Sequence, residues 1–288
     1  MGNMLYSNNT NTTCMRIYNK FTEFTKLCLD TDNLDKIEML LKQGTDVNQS
    51  QCPRSMTPLM VASGGGTGFI LYKKDKTTVF DSNIDIVKLL IKYGAHLNAK
   101  TKKKGFTALH FAVMDIASNN QIEIIKLLIN SGCNVDIQDS KGRTALIWTI
   151  IVRFNDRHDV VKLLINAGSN LNLGDYTGNT ALMYACHEHF ANPKIVELLL
   201  NSWIDVNQRN NKGLTSLMLA VTCPETSVSI EIVNLLLEYF ADTTITNSDG
   251  KTALEIANDH GNEIIAKIIT NHIINNNNNI DNNDKLLL

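Results

Sequence analysis

Apolar residues along the chain fall into two alternating blocks separated by polar stretches, and the alternation recurs at a repeat spacing. The first block opens on Thr-x-Leu: TPL at Thr57, TAL at Thr107, Thr144, Thr180 and Thr252, and TSL at Thr215. Successive threonines are 50, 37, 36, 35 and 37 residues apart. The second block reads LDKIEMLLKQG at 34–44, IDIVKLLIKYG at 84–94, IEIIKLLINSG at 122–132, HDVVKLLINAG at 158–168, PKIVELLLNSW at 193–203 and IEIVNLLLEYF at 230–240. From the last residue of each second block to the next Thr is 13, 13, 12, 12, 12 and 12 residues, so the length variation lies between each Thr-x-Leu element and the block after it. The pattern predicts a helix, a loop, a second helix and a polar hairpin-like finger in each unit. Thr caps the orphan N–H groups that open the first helix. The second block reads as apolar on nearly every side, whereas a lone surface helix shows one stripe. Such helices are buried only when the units stack.

These elements resemble ankyrin repeats. TALHFA at 107–112 retains most of the family's TPLHxA element, and KYGAHLNAK at 92–100 retains its GADVNA-type finger. The resemblance covers about residues 21–273 and implies an all-α ankyrin-repeat solenoid of about seven helix-loop-helix units with short β-hairpin-like fingers. The first unit has only a degenerate first helix, Phe21–Leu29. The last, TALEIANDHGNEIIAKIITNH, places Glu255 and Lys267 at stack positions, as a terminal cap requires. Residues 1–20, polar and Asn/Thr-rich, read as a disordered N-terminal segment, and 274–288 as a low-complexity Asn-rich tail that is expected to be disordered as well. The Asn-rich style is similar to that of ankyrin proteins from giant amoeba-infecting DNA viruses or AT-rich protists.

Charge and composition narrow the function classes. The formal net charge of −2 supplies none of the cationic excess that non-specific nucleic-acid binding needs. No apolar run reaches the roughly 18 residues of a membrane span. The N-terminus lacks a secretory pattern, and Tyr6 stands where a myristoylation motif wants Ser or Thr. The six cysteines form no C-x-x-C pair, which points to reduced thiols and a cytoplasmic chain, in the host cytoplasm if viral.

Two stretches look like chemistry. SGGGTGF at 63–69 has no Lys for a phosphate loop, since Phe69 follows Gly68. It opens an insertion over 64–82, read as a solvated loop or as a protrusion presenting Lys73, Lys74 and Lys76 to a partner. CHEHF at 186–190 offers metal-ligand types, but His187 and His189, two apart on a helix, are expected to point different ways. No nucleophile–base–acid set is legible. By resemblance, His110 braces the finger through hydrogen bonds. No catalytic residue, metal ligand or cofactor is therefore expected.

The resemblance implies a non-enzymatic, monomeric scaffold that binds a partner protein through a concave groove of finger tips and first helices. Aligned on each Thr, the variable positions are Lys103, Lys104, Phe106, Met114, Arg143, Ile151, Tyr176, Asn179, His187, Glu188 and Leu214. Phe106, Tyr176 and Leu214 are the expected apolar anchors, and the Lys/Arg residues would select an acidic patch. The alternative is a metal-dependent or ligand-binding protein using the 64–82 insertion or CHEHF. The resemblance also marks Asn48, Asn98, Asn172 and Asn207 as finger asparagines that a hydroxylase could modify. Finally, Trp203 and Phe240 stand where the other four second blocks carry Gly. Their expected role is structural, packed against the finger of their own unit or the next. The competing reading is an exposed aromatic ledge for a partner.

Overall fold

The computed structural model describes residues 22–29, 33–50, 55–65, 83–115, 120–152, 157–187 and 189–286, with side chains as far as 276. Residues 1–20 and 66–82 of the insertion lie outside them. The chain forms two compact units, Met1–Asn155 and Asp156–Leu288, so the repeat span 21–273 falls across both.

The first unit contains α1 (Glu23–Leu27), α2 (Leu34–Lys42), α3 (Pro58–Met60) with a wider turn at Val61–Gly65, α4 (Ile84–Lys92), α5 (Ala108–Met114), α6 (Gln121–Asn130) and α7 (Ala145–Ile151). The second contains α8 (His158–Asn166), α9 (Ala181–Cys186), α10 (Pro193–Leu200), α11 (Ser216–Val221), α12 (Ser227–Glu238), α13 (Ala253–Asp259) and α14 (Glu263–Leu286). Within each unit, first helices pack on first helices and second on second. Helices α3, α5 and α7 form one layer of the first unit, and α2, α4 and α6 the other. In the second unit the layers are α9, α11 and α13, and α8, α10, α12 and α14.

The threonines act as the spacing requires. Thr57, Thr107, Thr144, Thr180, Thr215 and Thr252 each accept from the N–H three residues on, at 3.3–3.4 Å. Thr22 does the same for Thr25 at 3.1 Å, which starts the degenerate α1.

The burial pattern inverts one expectation. The short first helices, not the second ones, are apolar and covered nearly all round: every residue from Ala108 to Val113 is buried. Small residues such as Ala108 and Ala112 let neighbours approach from both sides of the layer. The second helices are two-faced. In α4, Ile86, Val87, Leu89 and Leu90 are buried, while Asp85 and Lys88 pair at 3.0 Å in solvent. In α6, Glu123 and Lys126 repeat that pair at 2.8 Å.

Gly64 ends the helical turn after α3 with φ 124. A Cβ there would sit 2.7 Å from the Phe111 carbonyl oxygen and 2.8 Å from Asp115 Cβ, so only glycine fits where the insertion leaves the stack. At the other end, Ile265, Ala266 and Ile269 of α14 are buried. The α14 backbone then stays helical to Leu286, through the Asn-rich run that composition assigns to a disordered tail. A helix nucleated by packed turns extends at little cost per residue, even through weak formers.

Candidate partner-binding surface

The fingers are turns, with no strand among the described residues. Four of them are closed by one Asn or Asp five residues before the capping Thr. Asp139 Oδ1 accepts from the N–H groups of Lys141 and Arg143, at 2.7 and 2.9 Å. Asp175 does so for Thr177 and Asn179, Asn210 for Lys212 and Leu214, and Asn247 for Asp249 and Lys251, all at 2.9–3.0 Å. Thr101 Oγ1 accepts from the Phe106 N–H in the finger that is one residue longer. The closing residue fixes where the residue just before each Thr projects. That residue is Phe106, Arg143, Asn179 or Leu214, four of the sequence-predicted positions.

In the first unit these positions converge. Phe106 stacks on His110 with centroids 5.8 Å apart and meets Phe111 and Trp148 edge-on at 5.7 and 5.5 Å. The Arg143 guanidinium lies 3.9 Å from the Trp148 ring centre. Both groups reach the second oxygen of Asp139: Arg143 donates to Oδ2 at 2.9 and 3.1 Å, and Trp148 Nε1–H at 3.0 Å. Burial pushes the Asp139 carboxyl up. The backbone N–H groups of Arg143 and Lys141, with the Arg143 and Trp148 side chains, outweigh it and hold the carboxyl below its usual range. Arg143 is thus clamped rather than free. Lys102, Lys103 and Lys104 remain exposed at the finger tip, and Met114 and Ile151 end α5 and α7 half-buried.

His110 is the expected brace. The Thr107 N–H donates to Nδ1 at 3.2 Å, which leaves Nε2–H to donate to the Arg143 carbonyl at 3.2 Å. Burial lowers its pKa to about 4, so the ring is neutral at pH 7.

The second unit builds the same motif with different residues. Tyr184 O–H donates to Asp175 Oδ2 at 2.7 Å, in the place Trp148 holds relative to its Thr. Asn210 Nδ2–H donates to Asn179 Oδ1 at 2.7 Å, tying successive fingers together. Tyr176 projects from the turn at 67% exposure, while Leu214 is half-buried. Sequence reasoning missed Asp139, Trp148, Asp175, Tyr184 and Asn210. The signal that finds the closing residues is Asp/Asn-x-x-Gly-x-Thr, present four times.

CHEHF is arranged differently from expectation. The helix ends at Cys186, and His187 adopts an extended backbone with ψ 140. Its ring then comes within 5.4 Å of His189 and 6.3 Å of Phe190. Glu188 lies outside the described residues, and among those described no three His, Cys, Asp or Glu side chains gather to hold a metal ion. Burial pushes the thiol of Cys28 up to about 12 and that of Cys133 to about 11, so both stay protonated.

The finger asparagines staple neighbouring repeats. Asn48 accepts from the His96 N–H at 2.7 Å, Asn98 from Asn134 at 2.8 Å, Asn172 from Asp205 at 2.9 Å and Asn207 from Asp242 at 2.8 Å. Asn207 Nδ2–H also donates to the Phe240 carbonyl at 3.3 Å.

Trp203 and Phe240 overturn the packed expectation. They are 98% and 87% exposed. Both have φ 62, alongside φ 80–90 at Gly44, Gly94, Gly132 and Gly168. A Cβ at those four glycines would meet nothing within 4 Å. The position faces open solvent at those glycines, and both rings lie largely in solvent as well. Phe240 keeps the helix closure that the glycines make: the Ala241 N–H donates to the Leu236 carbonyl at 2.9 Å, as Ala95 does to Leu90 at 3.0 Å. Each aromatic therefore carries a left-handed backbone cost of roughly 1 kcal/mol that burial does not offset.

Comparison with known proteins agrees with this architecture. A family described as ankyrin repeats (3 copies) matches residues 113–210 and 188–284, and one described as ankyrin repeats (many copies) matches 78–115. A putative ankyrin repeat protein of fowlpox virus is 32% identical over 195 residues, covering 66% of this chain and 40% of its own length. Neurogenic locus notch homolog protein 1 of Danio rerio is 35% identical over 94 residues, 33% of this chain and 4% of that protein. SH3 and multiple ankyrin repeat domains protein 2 of Homo sapiens is 32% identical over 130 residues, 44% of this chain and 6% of that protein. The chain thus spans less than half the length of each relative. With capped Thr-x-Leu helices, closed fingers and two helix layers in each unit, and with family matches over most of its length, the chain belongs to the ankyrin repeat family.

Proposed function

We propose that the chain is a non-enzymatic, monomeric scaffold of the cytoplasm that binds a partner protein through its finger turns and first-helix ends. The observation that carries this is the pre-organised aromatic and polar face in each unit. Phe106 and Arg143 pack on Trp148, and Asp139 holds Arg143 and Trp148, in the first; Asp175 holds Tyr184, and the Asn179 side chain is tied to Thr177 and Asn210, in the second. Side chains immobilised before binding lose little entropy when a partner arrives. Lys103 and Lys104 beside the first cluster favour an acidic partner. Among the described residues no helix is long and apolar enough to cross a membrane.

Tyr176 is the clean probe, because Phe106 also packs inside its unit. The experiment is affinity capture with the full chain and with Tyr176→Ala, followed by mass spectrometry and calorimetry on each captured protein. Loss of about 1–2 kcal/mol of affinity with an unchanged melting curve supports the surface. A partner bound equally by Tyr176→Ala and by Lys103→Glu/Lys104→Glu would place the surface elsewhere.

A further inference from the structure

The second unit carries another surface, where its second helices run into the fingers. Trp203 and Phe240 follow α10 and α12 there, largely in solvent. The two helices pack on each other, and Asn207 joins their following turns through the Phe240 carbonyl and the Asp242 N–H. Exposed carboxylates flank both aromatics: Asp205 after Trp203, Glu238 and Asp242 around Phe240. The last turns of α10 and α12 hold no basic residue, whereas α2 and α4 end on Lys42 and Lys92. Helix C-termini add further negative potential. Beside Phe240 opens a cleft of about 750 Å³, between the end of α12 and the face of α14. Leu237, Ile268 and Ile273 line it with Glu238 and Asp242, a mixture suited to a side chain with an apolar stem and a cationic head. Thr244 donates to Asp242 through its N–H at 2.8 Å and its O–H at 2.7 Å, so that carboxyl stays charged.

We propose that Trp203, Phe240 and the adjoining cleft form a docking edge for an extended, basic segment of a partner protein, with cations spaced three residues apart. Aromatic faces ringed by carboxylates attract Arg and Lys rather than anions. The spacing follows from the stack. Adjacent packed helices lie about 8–10 Å apart. An extended strand rises about 3.3 Å per residue, so three residues span that distance. One Arg covers Trp203, and the Arg three residues on covers Phe240 and enters the cleft.

The test is calorimetry of the full chain against a synthetic twelve-residue peptide with two Arg three positions apart in a Gly/Ser background. The Trp203→Gly/Phe240→Gly variant restores the residue of the other units, so it folds. Binding weakened at least tenfold in that variant, weakened again in Glu238→Gln/Asp242→Asn, and unchanged in Tyr176→Ala supports the proposal. Equal binding by the aromatic-free variant overturns it. So does equal binding of a peptide with norleucine in place of both Arg, since the edge would then be a plain apolar site. Self-association lost in Trp203→Gly/Phe240→Gly and unaffected by the peptide would make the occupant a second copy of this chain, and would also overturn it.

Discussion

Each turn at the end of a second helix asks its residue for a positive φ and a side chain aimed at solvent. Gly44, Gly94, Gly132 and Gly168 meet both conditions at no steric cost. Trp203 and Phe240 meet the first at a cost and the second by exposing a ring. The positive φ was legible in the sequence, because the family's glycine marks the place. The exposure was not, because it depends on the direction of one Cβ, which no spacing encodes. Trp203→Gly and Phe240→Gly should each stabilise the free chain by roughly 1 kcal/mol, raising the melting temperature by about 2–4 °C. A lower melting temperature in either variant would mean the ring packs in solution. His110 gives a second expectation at this scale. Its folded-state pKa of about 4 lies below the ordinary 6.5, so between those values the unfolded chain holds a proton that the folded chain does not. The stabilisation is full above pH 6.5, falls as the pH drops through that window, and is lost below pH 4. The difference amounts to about 3 kcal/mol. His110→Met, carrying the residue found at Met60, Met183 and Met218, should remove that slope. Urea unfolding of both proteins at pH 7 and pH 4 measures it.

At the scale of elements, the helices were legible because capping and periodicity are local. Thr-x-Leu places an acceptor, a small residue and a core residue in successive positions, and the caps at Thr144 and Thr180 follow directly. Which helix is buried all round was not legible. The first helices match the second in apolar count over fewer residues, and the burial of α5 depends on α3 and α7, about 50 and 37 residues away along the chain. The finger clusters divide in the same way. Asp139 closes its own turn through Lys141 and Arg143, a local motif. Its second oxygen reaches Trp148 and Arg143, which requires the finger to lie over the first turn of α7. The two functions are separable by substitution. Asp139→Asn keeps the turn-closing oxygen, as Asn210 and Asn247 do in their own units, and loses the charge-assisted bonds. It should cost about 1–2 kcal/mol, whereas Asp139→Ala, which also opens the turn, should cost about 3 kcal/mol. Equal losses in thermal or urea unfolding would show that the turn closure contributes nothing beyond the ionic contacts.

Over the whole molecule, a net charge of −2 averages regions of opposite character. In the first unit, Lys102, Lys103 and Lys104 sit together in one finger, and none makes a salt bridge among those described. In the second unit, Glu238 and Asp242 mark a separate acidic edge. Repeat proteins bury their cores between neighbours and leave the finger tips to vary, so function is written in residues that the fold does not need. That is why composition and period identify the scaffold readily while its partner has to be read from patches a few residues wide. The lysine patch makes a kinetic expectation. Exposed cations at a rim act mainly on encounter, adding long-range attraction that salt screens. Lys103→Glu/Lys104→Glu should leave unfolding unchanged, since both side chains are exposed at the finger tip. Against an acidic partner captured by the chain, the same variant should slow association by about tenfold at low salt, with little change in dissociation. The gap between variant and parent should narrow as ionic strength rises. Surface plasmon resonance at two salt concentrations reads both rates. A variant whose dissociation rate rises while association holds would make these lysines direct, desolvated contacts at the centre of the interface rather than a steering rim.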